Sequence, residues 1–429
     1  MPDTAATPDL YAGPDLEHAY EESVARSAVA RTDSSRPRSW TAAAWAARSA
    51  LLHVRRKVSS LATTSCYEVQ GLGRPINSTD DVRVRYVGER KNIGFLVSAC
   101  FSEFKVSSER ALGPLEAAAA VRRAGQDEDM LLVDAESPLM SPGVPALRLP
   151  PWVRQRVSLP TSWPDFVSSL SRGTRREIAR CLRKYRYQAR VADSHAAFER
   201  FYRDLYQPHV VRRFGAEAFV IDEATFHRER AGTQLIELVH DGEVVAGNVV
   251  RSAGDTTWIL WCGFSSLVDS RGLKGVTDVL DYFSLLDAAR RGIKQVDFGR
   301  SRPRLNDGPL TYKSKWNSEV RLGVLKKPPL LIVPRNLGAP VAKSLARNQW
   351  VTRVGGSLVV VVLFDQGPVS EDDVRLACQR YRHPGISRLR LCAAQGFGFR
   401  VKTSAWSSEG IDLVDLDAAR DPVRRYLGE

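Results

Sequence analysis

Gln295-Val-Asp-Phe-Gly-Arg-Ser301, with Thr311-Tyr-Lys-Ser-Lys-Trp316 after it, is the stretch on which the fold of this 429-residue chain turns. Just upstream, Val276, Val279, Leu280, Phe283, Leu286 and Ala289 recur with the spacing of one helical face, so the sequence predicts an amphipathic helix. Gly292 ends it, because glycine takes the left-handed conformation that closes a helix at little steric cost. Residues 293–298 then read as a short buried strand. The unit is helix, glycine turn, strand, polar loop and basic-aromatic segment, and α/β proteins place their chemistry at the ends of such strands.

Working outward toward the N-terminus, residues 234–239 and 243–250 are apolar runs joined by Asp241-Gly242. Asp-Gly suits a two-residue hairpin turn whose central residues both need positive φ. Residues 257–262 add a third strand to an antiparallel meander and lead into Ser270-Arg-Gly-Leu-Lys-Gly275, which opens the central helix. Before the hairpin, residues 187–192 read as a strand and 196–206 as a helix. Further upstream, Thr174 and Glu177 have the spacing of a capping box. The helix they would open sets Arg175, Arg176, Arg180, Arg183, Lys184 and Arg186 opposite Ile178, Leu182 and Tyr185. Such a strip could neutralise the phosphates of a tRNA or a phosphorylated carrier, or be a plain solvated face.

This order of hairpin, third strand, glycine-containing turn, helix and strand resembles the Gcn5-related N-acetyltransferase (GNAT) fold. Residues 163–316, about a third of the chain, resemble its FemAB-like or BioF2-like branch. The matching pieces are Leu170-Ser-Arg172 with Arg175-Arg176, His240-Asp-Gly-Glu243 with Ala246-Gly247, Arg290-Arg-Gly292, Asp297-Phe-Gly299, and Tyr312-Lys313 with Trp316.

By that resemblance Lys313 and Tyr312 lie at the acyl-transfer centre, where a fixed ammonium can stabilise the oxyanion formed when an amine attacks a thioester or ester carbonyl. Asp297 would hold or deprotonate the amine, or instead cap the turn after its strand. Arg300, Ser301 and Trp316 are candidate substrate contacts. Arg300, Arg302 and Arg304 could together grip a phosphate or carboxylate, or form a surface loop. Arg271, Gly272, Lys274 and Gly275 fall where the family holds the coenzyme A pyrophosphate on backbone N–H groups at a helix N-terminus. Here the stretch lacks the family's Arg/Gln-x-x-Gly-x-Gly/Ala spacing. The resemblance implies acyl-coenzyme A as co-substrate with no bound cofactor, or, as in the FemAB branch, aminoacyl-tRNA carried on the basic stretch 175–190.

The rest of the chain sets the domain plan. Residues 1–38 are polar, Pro- and Ala-rich and aperiodic, which predicts a disordered tail. Residues 40–61 set Trp40, Trp45, Leu51, Leu52 and Val58 against Arg48, Arg55, Arg56 and Lys57: a helix packed on the body, or a basic amphipathic helix on anionic lipid. Strands at 82–87, 93–99, 130–133 and 153–159 around a helix at 103–123 predict a smaller α/β subdomain. Pro138, Pro142, Pro145, Pro150 and Pro151 mark a connector. Beyond Lys326-Lys-Pro-Pro329, a basic helix at 337–350, a strand at 358–364, a helix at 371–381 and a strand at 386–392 predict a small βαβ-like appendage. The expected architecture is α/β (α+β), with tandem GNAT-like subdomains whose mixed sheets are largely antiparallel. Its parts are a tail 1–38, an N-terminal subdomain 39–160, the transferase domain 161–325 and the appendage 326–429.

The balance of 62 Lys+Arg against 49 Asp+Glu, +13 net, favours anionic partners such as nucleotides, nucleic acid or an anionic membrane face. Six scattered cysteines with no Cys-x-x-Cys pair argue against a zinc knuckle or disulfide framework and fit a reducing cytoplasm. Cys262, between Trp261 and Gly263, reads as core rather than nucleophile. The seven histidines form no His-x-x-x-His pair, and neither a Gly-x-Ser-x-Gly elbow nor a Walker lysine occurs. Metal, serine-hydrolase and nucleotide-hydrolase chemistry are thereby disfavoured. Residues 1–40 carry no apolar core of a secretory signal, and the run 358–364 is too short to span a bilayer. The expected activity is transfer of an acyl group from acyl-coenzyme A to an amine or hydroxyl acceptor, in cell-surface polysaccharide or natural-product assembly. The alternatives are an aminoacyl-tRNA-dependent peptidyl transferase and a catalytically inactive GNAT-fold scaffold.

Overall fold

The computed structural model describes residues 66–123, 127–134, 146–215, 220–323, 329–394, 398–400, 406 and 409–416. The expected tail 1–38, the basic segment 40–61 and Pro138, Pro142 and Pro145 lie outside these. Packing divides the chain into two compact units, each discontinuous in sequence. Among the described residues, one unit holds Arg156–Gly299 and Lys315–Asn317, and the other holds everything else, including Arg300–Ser314.

In chain order the first elements are β1 (Cys66–Arg74), β2 (Val82–Glu89), α1 (Arg90–Cys100), β3 (Glu103–Leu112), α2 (Pro114–Arg123), β4 (Met130–Asp134) and β5 (Leu147–Leu149). Next come β6 (Val153–Ser158), α3 (Trp163–Ser169), α4 (Arg172–Tyr185), β7 (Gln188–Ala192), α5 (His195–Arg200), a π-helical segment (Phe201–Tyr206), α6 (Gln207–Phe214) and α7 (Glu223–Glu229). The central run is β8 (Thr233–His240), β9 (Glu243–Ala253), β10 (Thr256–Phe264), α8 (Leu267–Ser270), α9 (Val276–Arg290), β11 (Gln295–Ser301), α10 (Gly308–Ser314) and β12 (Glu319–Leu322). The chain continues through β13 (Leu330–Pro334), α11 (Ala339–Ala346), β14 (Trp350–Val354), β15 (Ser357–Phe364), α12 (Glu371–Tyr381), β16 (Arg388–Ala393) and β17 (Ile411–Asp415).

In the first unit the strands lie in the order β6-β11-β10-β9-β8-β7. Strands β7 to β10 are antiparallel, and β11 joins β10 in parallel after the α9 crossover. The β8–β9 turn is the one its Asp-Gly pair predicts, with φ of 50° at Asp241 and 81° at Gly242. On one face, α9 buries Val276, Val279, Leu280, Phe283 and Leu286 in a core shared with Ile178, Cys181, Leu182 and Tyr185 of α4 and Ile236, Leu238 and Val250 of the sheet. The other face is aromatic: Phe198, Phe201, Tyr202, Tyr206 and Phe226 pack on Leu235, Val249 and Trp261. Each such aromatic, fully buried, contributes roughly 2–3 kcal/mol, so both faces of the sheet are anchored by residues the sequence spaces at helical and strand periods.

The second unit contains a sheet ordered β3-β1-β2-β4-β13-β5, antiparallel except for β2 beside β4. It also contains a smaller sheet ordered β14-β15-β16-β17, in which β15, β16 and β17 are parallel. The helix α12 crosses from β15 to β16, which is the βαβ unit expected of the appendage. The fold class is thus mixed α/β with largely antiparallel sheets.

Several local expectations change. Residues 93–99, expected as a strand, lie in α1, where Phe95, Leu96, Val97, Ala99 and Cys100 are buried; a short apolar run does not by itself distinguish strand from buried helix. Residues 103–123, expected as one helix, are the edge strand β3 followed by α2, with the break at Gly113-Pro114. Its polar, solvent-facing residues hide β3, whose only sheet partner among the described residues is β1. The helix α4 is capped by Ser171, whose Oγ accepts from the Thr174 N–H, rather than by Thr174, and Glu177 pairs with Arg180 instead of closing a capping box. The expected helix 337–350 is α11 followed by the start of β14 at Trp350.

Candidate active site

The site begins with the way β11 leaves β10. The two strands pair in parallel over Thr256–Gln295, Thr257–Val296 and Trp258–Asp297, and then the ladder stops. Two local features mark the divergence. Gly299 sits at φ 78°, a left-handed conformation that an extended strand does not accommodate, and its N–H donates to Asp297 Oδ1 at 2.8 Å. On the neighbouring strand, the β9 register slips between Ile259 and Trp261, so Leu260 is a bulge residue outside that ladder. Beyond the split, Ile259, Leu260, Trp261 and Cys262 are only half-buried although β10 is an inner strand, whereas Asn248, Val249 and Val250 beside them on β9 are buried. The Asp297-Phe-Gly motif therefore turns β11 where its ladder with β10 ends, and the bond from the Gly299 N–H is the turn-capping one of the two readings of Asp297. Arg156 of β6 pairs with the same carboxylate at 3.6 Å.

At the end of β10 the chain enters α8 and the turn 271–275. Gly272 and Gly275 take φ of 59° and 66°. Gly275 is needed twice over, for its left-handed backbone and because a Cβ there would collide with Cys181 Sγ. The Tyr187 hydroxyl donates to the Lys274 carbonyl at 3.1 Å, and Arg271 pairs with Glu243 at 2.5 Å across the hairpin end. Gly275 is the N-cap of α9 and brings no side chain to it, so the first-turn N–H groups and the helix dipole are left to attract an anion. The acidic residue of that turn, Asp278, is neutralised by the Lys315 ammonium. Beside this end of β10, His209 of α6 meets the edge of Phe264 at 4.7 Å, and burial, helped by Arg213 and Arg212, pushes its imidazole down to about 4.

Lys313 belongs to the second unit. Near the C-terminal end of α10, its Nζ donates to the Arg300 carbonyl at 2.7 Å and to Ser301 Oγ at 3.1 Å. Tyr312 precedes it on the same helix, half-buried. Ser301 is buried and donates its own proton to Gln155 Oε1 at 2.9 Å, so its hydroxyl serves the lysine's surroundings. Arg300 is exposed, but its neighbours in the loop are committed to other partners: the Arg302 guanidinium lies 3.9 Å from the Trp152 ring centroid and 4.1 Å from that of Phe95. Arg304 faces Asp307 and Asn348, and burial lowers its pKa while raising that of Asp307. Trp316 returns to the first unit and is fully buried there, stacked on Phe298 with centroids 6.4 Å apart.

Gln155, Ser314, Ser318 and His383, which surround Lys313 in a hydrogen-bonded group, are not among the candidates that the sequence offers. One signal does point to the first of them. In β6 the inward row reads Val153, Gln155, Val157, and an amide at the centre of an apolar row must be bonded to something. Nothing comparable marks His383.

Residues 168–314 match the family model described as an acetyltransferase (GNAT) domain. No curated protein sequence matches the chain. Among solved structures it is similar to FemX at 10% identity, over 61% of this chain and 84% of that one, with a TM-score of 0.34. It is similar to L-PGS from Bacillus licheniformis at 11% identity, over 65% of this chain and 88% of that one, with a TM-score of 0.30. A tandem GNAT protein from the clavulanic acid biosynthesis pathway is similar at 13% identity, over 62% of this chain and 78% of that one, with a TM-score of 0.26. The observed order of hairpin, third strand, glycine turn, crossover helix and diverging strand agrees with that family match, and the fold of residues 168–314 is of the GNAT type.

Proposed function

We propose that this domain transfers an acyl group from acyl-coenzyme A to an amine or hydroxyl acceptor, in the manner of the FemAB-like branch its motifs resemble. The observation that carries the reading is the split of β10 from β11 directly ahead of a glycine turn and an uncapped helix N-terminus. The freed edge of β10 suits an extended, amide-bearing arm that pairs as an added strand, and the α9 end suits the pyrophosphate at the arm's other end. The half-buried apolar residues 258–262 would line the path of the acyl chain. Lys274 beside this turn supplies further positive charge; Arg271 does so less, being paired with Glu243.

In the transfer step the acceptor nitrogen attacks the thioester carbonyl, a C–N bond forms and the C–S bond breaks. The thiolate takes up a proton as free coenzyme A, and the amine loses one to solvent or a base. Lys313 stabilises the oxyanion of the intermediate, a role assigned by the resemblance and suited to an ammonium already held by two acceptors. Asp297 keeps β11 bent through the Gly299 N–H. The acceptor, taken from the resemblance alone, is an amino sugar or amino-acid derivative in cell-surface polysaccharide or natural-product assembly, and the cytoplasm is the compartment that fits.

A second reading, an aminoacyl-tRNA donor, is favoured by one observation. Helix α4 and the residues after it expose Arg172, Arg176, Arg180, Arg183, Lys184, Arg186 and Arg190, of which Arg180 and Arg190 are paired with Glu177 and Glu237. Thermal stabilisation of the full chain by acetyl-coenzyme A, longer acyl-coenzyme A esters and charged tRNA separates the readings. A ligand at a hundred times its dissociation constant adds about 2.7 kcal/mol. A shift with the esters supports the proposal. A shift with charged tRNA alone transfers it to the second reading, and no shift with any donor leaves the fold as a scaffold.

A further inference from the structure

We infer that Gln155 and the C-terminal appendage, through His383, position Lys313 for transfer, an inference that rests on the role proposed for that lysine. Gln155 is fully buried on β6, and both polar atoms of its side chain are engaged. Its Oε1 accepts from Ser301 Oγ at 2.9 Å, the same hydroxyl that accepts from Lys313 Nζ at 3.1 Å. Its Nε2 faces the Leu310 carbonyl and Ser318 Oγ, both at 3.0 Å, and Ser314 Oγ at 3.3 Å. Ser318 in turn donates to the Lys313 carbonyl at 3.0 Å. One glutamine thus fixes the ammonium through Ser301 and the lysine backbone through Ser318.

The appendage closes the other side of the group. Ser314, next after Lys313, has its Oγ 2.6 Å from His383 Nε2, in the turn that follows α12. His383 Nδ1 lies 3.0 Å from the Pro384 carbonyl, which also accepts the Val320 N–H at 2.8 Å. With Nδ1–H directed to Pro384, Nε2 is an acceptor, and the single Ser314 proton is shared between it and the Leu310 carbonyl, 2.7 Å from Oγ. Burial holds this imidazole below its ordinary value, which favours that neutral arrangement. Gln155, Ser301 and Ser318 are buried and Lys313, Ser314 and His383 partly so; a group of this kind whose members are bonded to one another fixes one geometry, and losing a member leaves its partners unsatisfied and the geometry loose. A transfer centre that relies on charge already in place needs that fixity.

The test uses the full-length protein and reads the lysine directly. Reductive methylation of Lys313 by formaldehyde and cyanoborohydride, followed by peptide mass spectrometry, should be slow in the wild type. It should speed up about tenfold in Gln155→Ala, Ser314→Ala and His383→Ala as the ammonium is released, and Ser314→Ala with His383→Ala should be no faster than either alone. His383→Gln, whose amide offers both a donor and an acceptor, should return toward the wild-type rate. With acetyl-coenzyme A and a panel of small amines, kcat should fall about ten- to a hundredfold in the loosened variants while KM for the donor holds. Wild-type labelling in all of them, or changes that only follow loss of thermal stability, would overturn the inference. Lys313→Ala separates the two claims: full turnover there removes the transfer role and this inference with it. Its loss of turnover, beside wild-type labelling and kcat in the Gln155 and His383 variants, removes this inference alone.

Discussion

The turn 271–275 and the surroundings of Lys313 are built by opposite means. The turn is backbone work: two glycines at positive φ, a helix end with no side-chain cap, and a strand that ends its parallel ladder after three pairs. The lysine is held by side chains drawn from distant parts of the sequence, Gln155 on β6 and His383 in the appendage, linked through serines of the intervening segments. A backbone site tolerates most side-chain change but no added Cβ at its key glycines. A side-chain site tolerates backbone change nearby and fails when one polar member is removed. The contrast predicts how each of the two regions breaks.

The largest effect should come from the lysine. Lys313→Ala is expected to lower kcat by about 10²- to 10³-fold, the loss typical of one oxyanion donor, with an unfolding midpoint near wild type because the side chain is only half-buried. A kcat within a few-fold of wild type would leave the side-chain half of the comparison without a catalytic meaning. Next, Gly275→Ala should destabilise the fold by about 2–4 kcal/mol, from left-handed strain plus the collision with Cys181. Adding Cys181→Ala should recover the collision part and leave the strain, a double-mutant result readable by urea unfolding. An additive pair would show that the turn does not bear on α4 as described.

A smaller effect follows from His209. Its imidazole titrates near 4 in the folded chain against an ordinary value of 6.5, so the unfolded chain binds the proton first as pH falls. The stability it contributes is complete above about 6.5 and is lost between there and 4. Because the ring is partly open to solvent, that loss should be about 1–2 kcal/mol rather than the full value of the shift. His209→Gln should flatten this part of the pH–stability curve, and an unchanged slope would contradict the burial described for the ring. Smallest of all, replacing Arg176, Arg183 and Arg186 by Gln should move stability by no more than about 0.5 kcal/mol. If tRNA is the donor, the same change should cut the salt dependence of tRNA binding by nearly one unit of log slope for each phosphate-bound arginine replaced, and an unchanged slope would exclude α4 as its seat.

The same contrast explains what is legible in the sequence. The β8–β9 hairpin, α9, β11 and the glycine turn are legible because each rests on local chemistry: Asp241-Gly242 for the turn, the apolar period of Val276 to Ala289, and Gly292 as a stop. Asp297 and Gly299 are legible as a motif, although their observed contact is with each other. The edge strand β3 is hidden because its outward residues are polar, and α1 because a short buried helix and a buried strand share one apolar run. Ser301 reads in the sequence as a substrate contact, but its bonds to Gln155 and Lys313 show it spent on holding the lysine. Arg302, read as an anion ligand, is instead packed on Phe95 and Trp152. No pattern within one segment shows either result, because the partners come from strands and helices far apart in sequence.

The central claim is that an acyl-coenzyme A donor lies along the freed edge of β10 with its pyrophosphate at the N-terminus of α9. Amide hydrogen exchange of the full chain, with and without saturating acetyl-coenzyme A, tests it most directly. A donor seated there should slow exchange at residues 259–264 and 271–279, with little change along 172–190. Protection confined to 172–190, or none at the turn at a donor concentration that stabilises the protein, would contradict it.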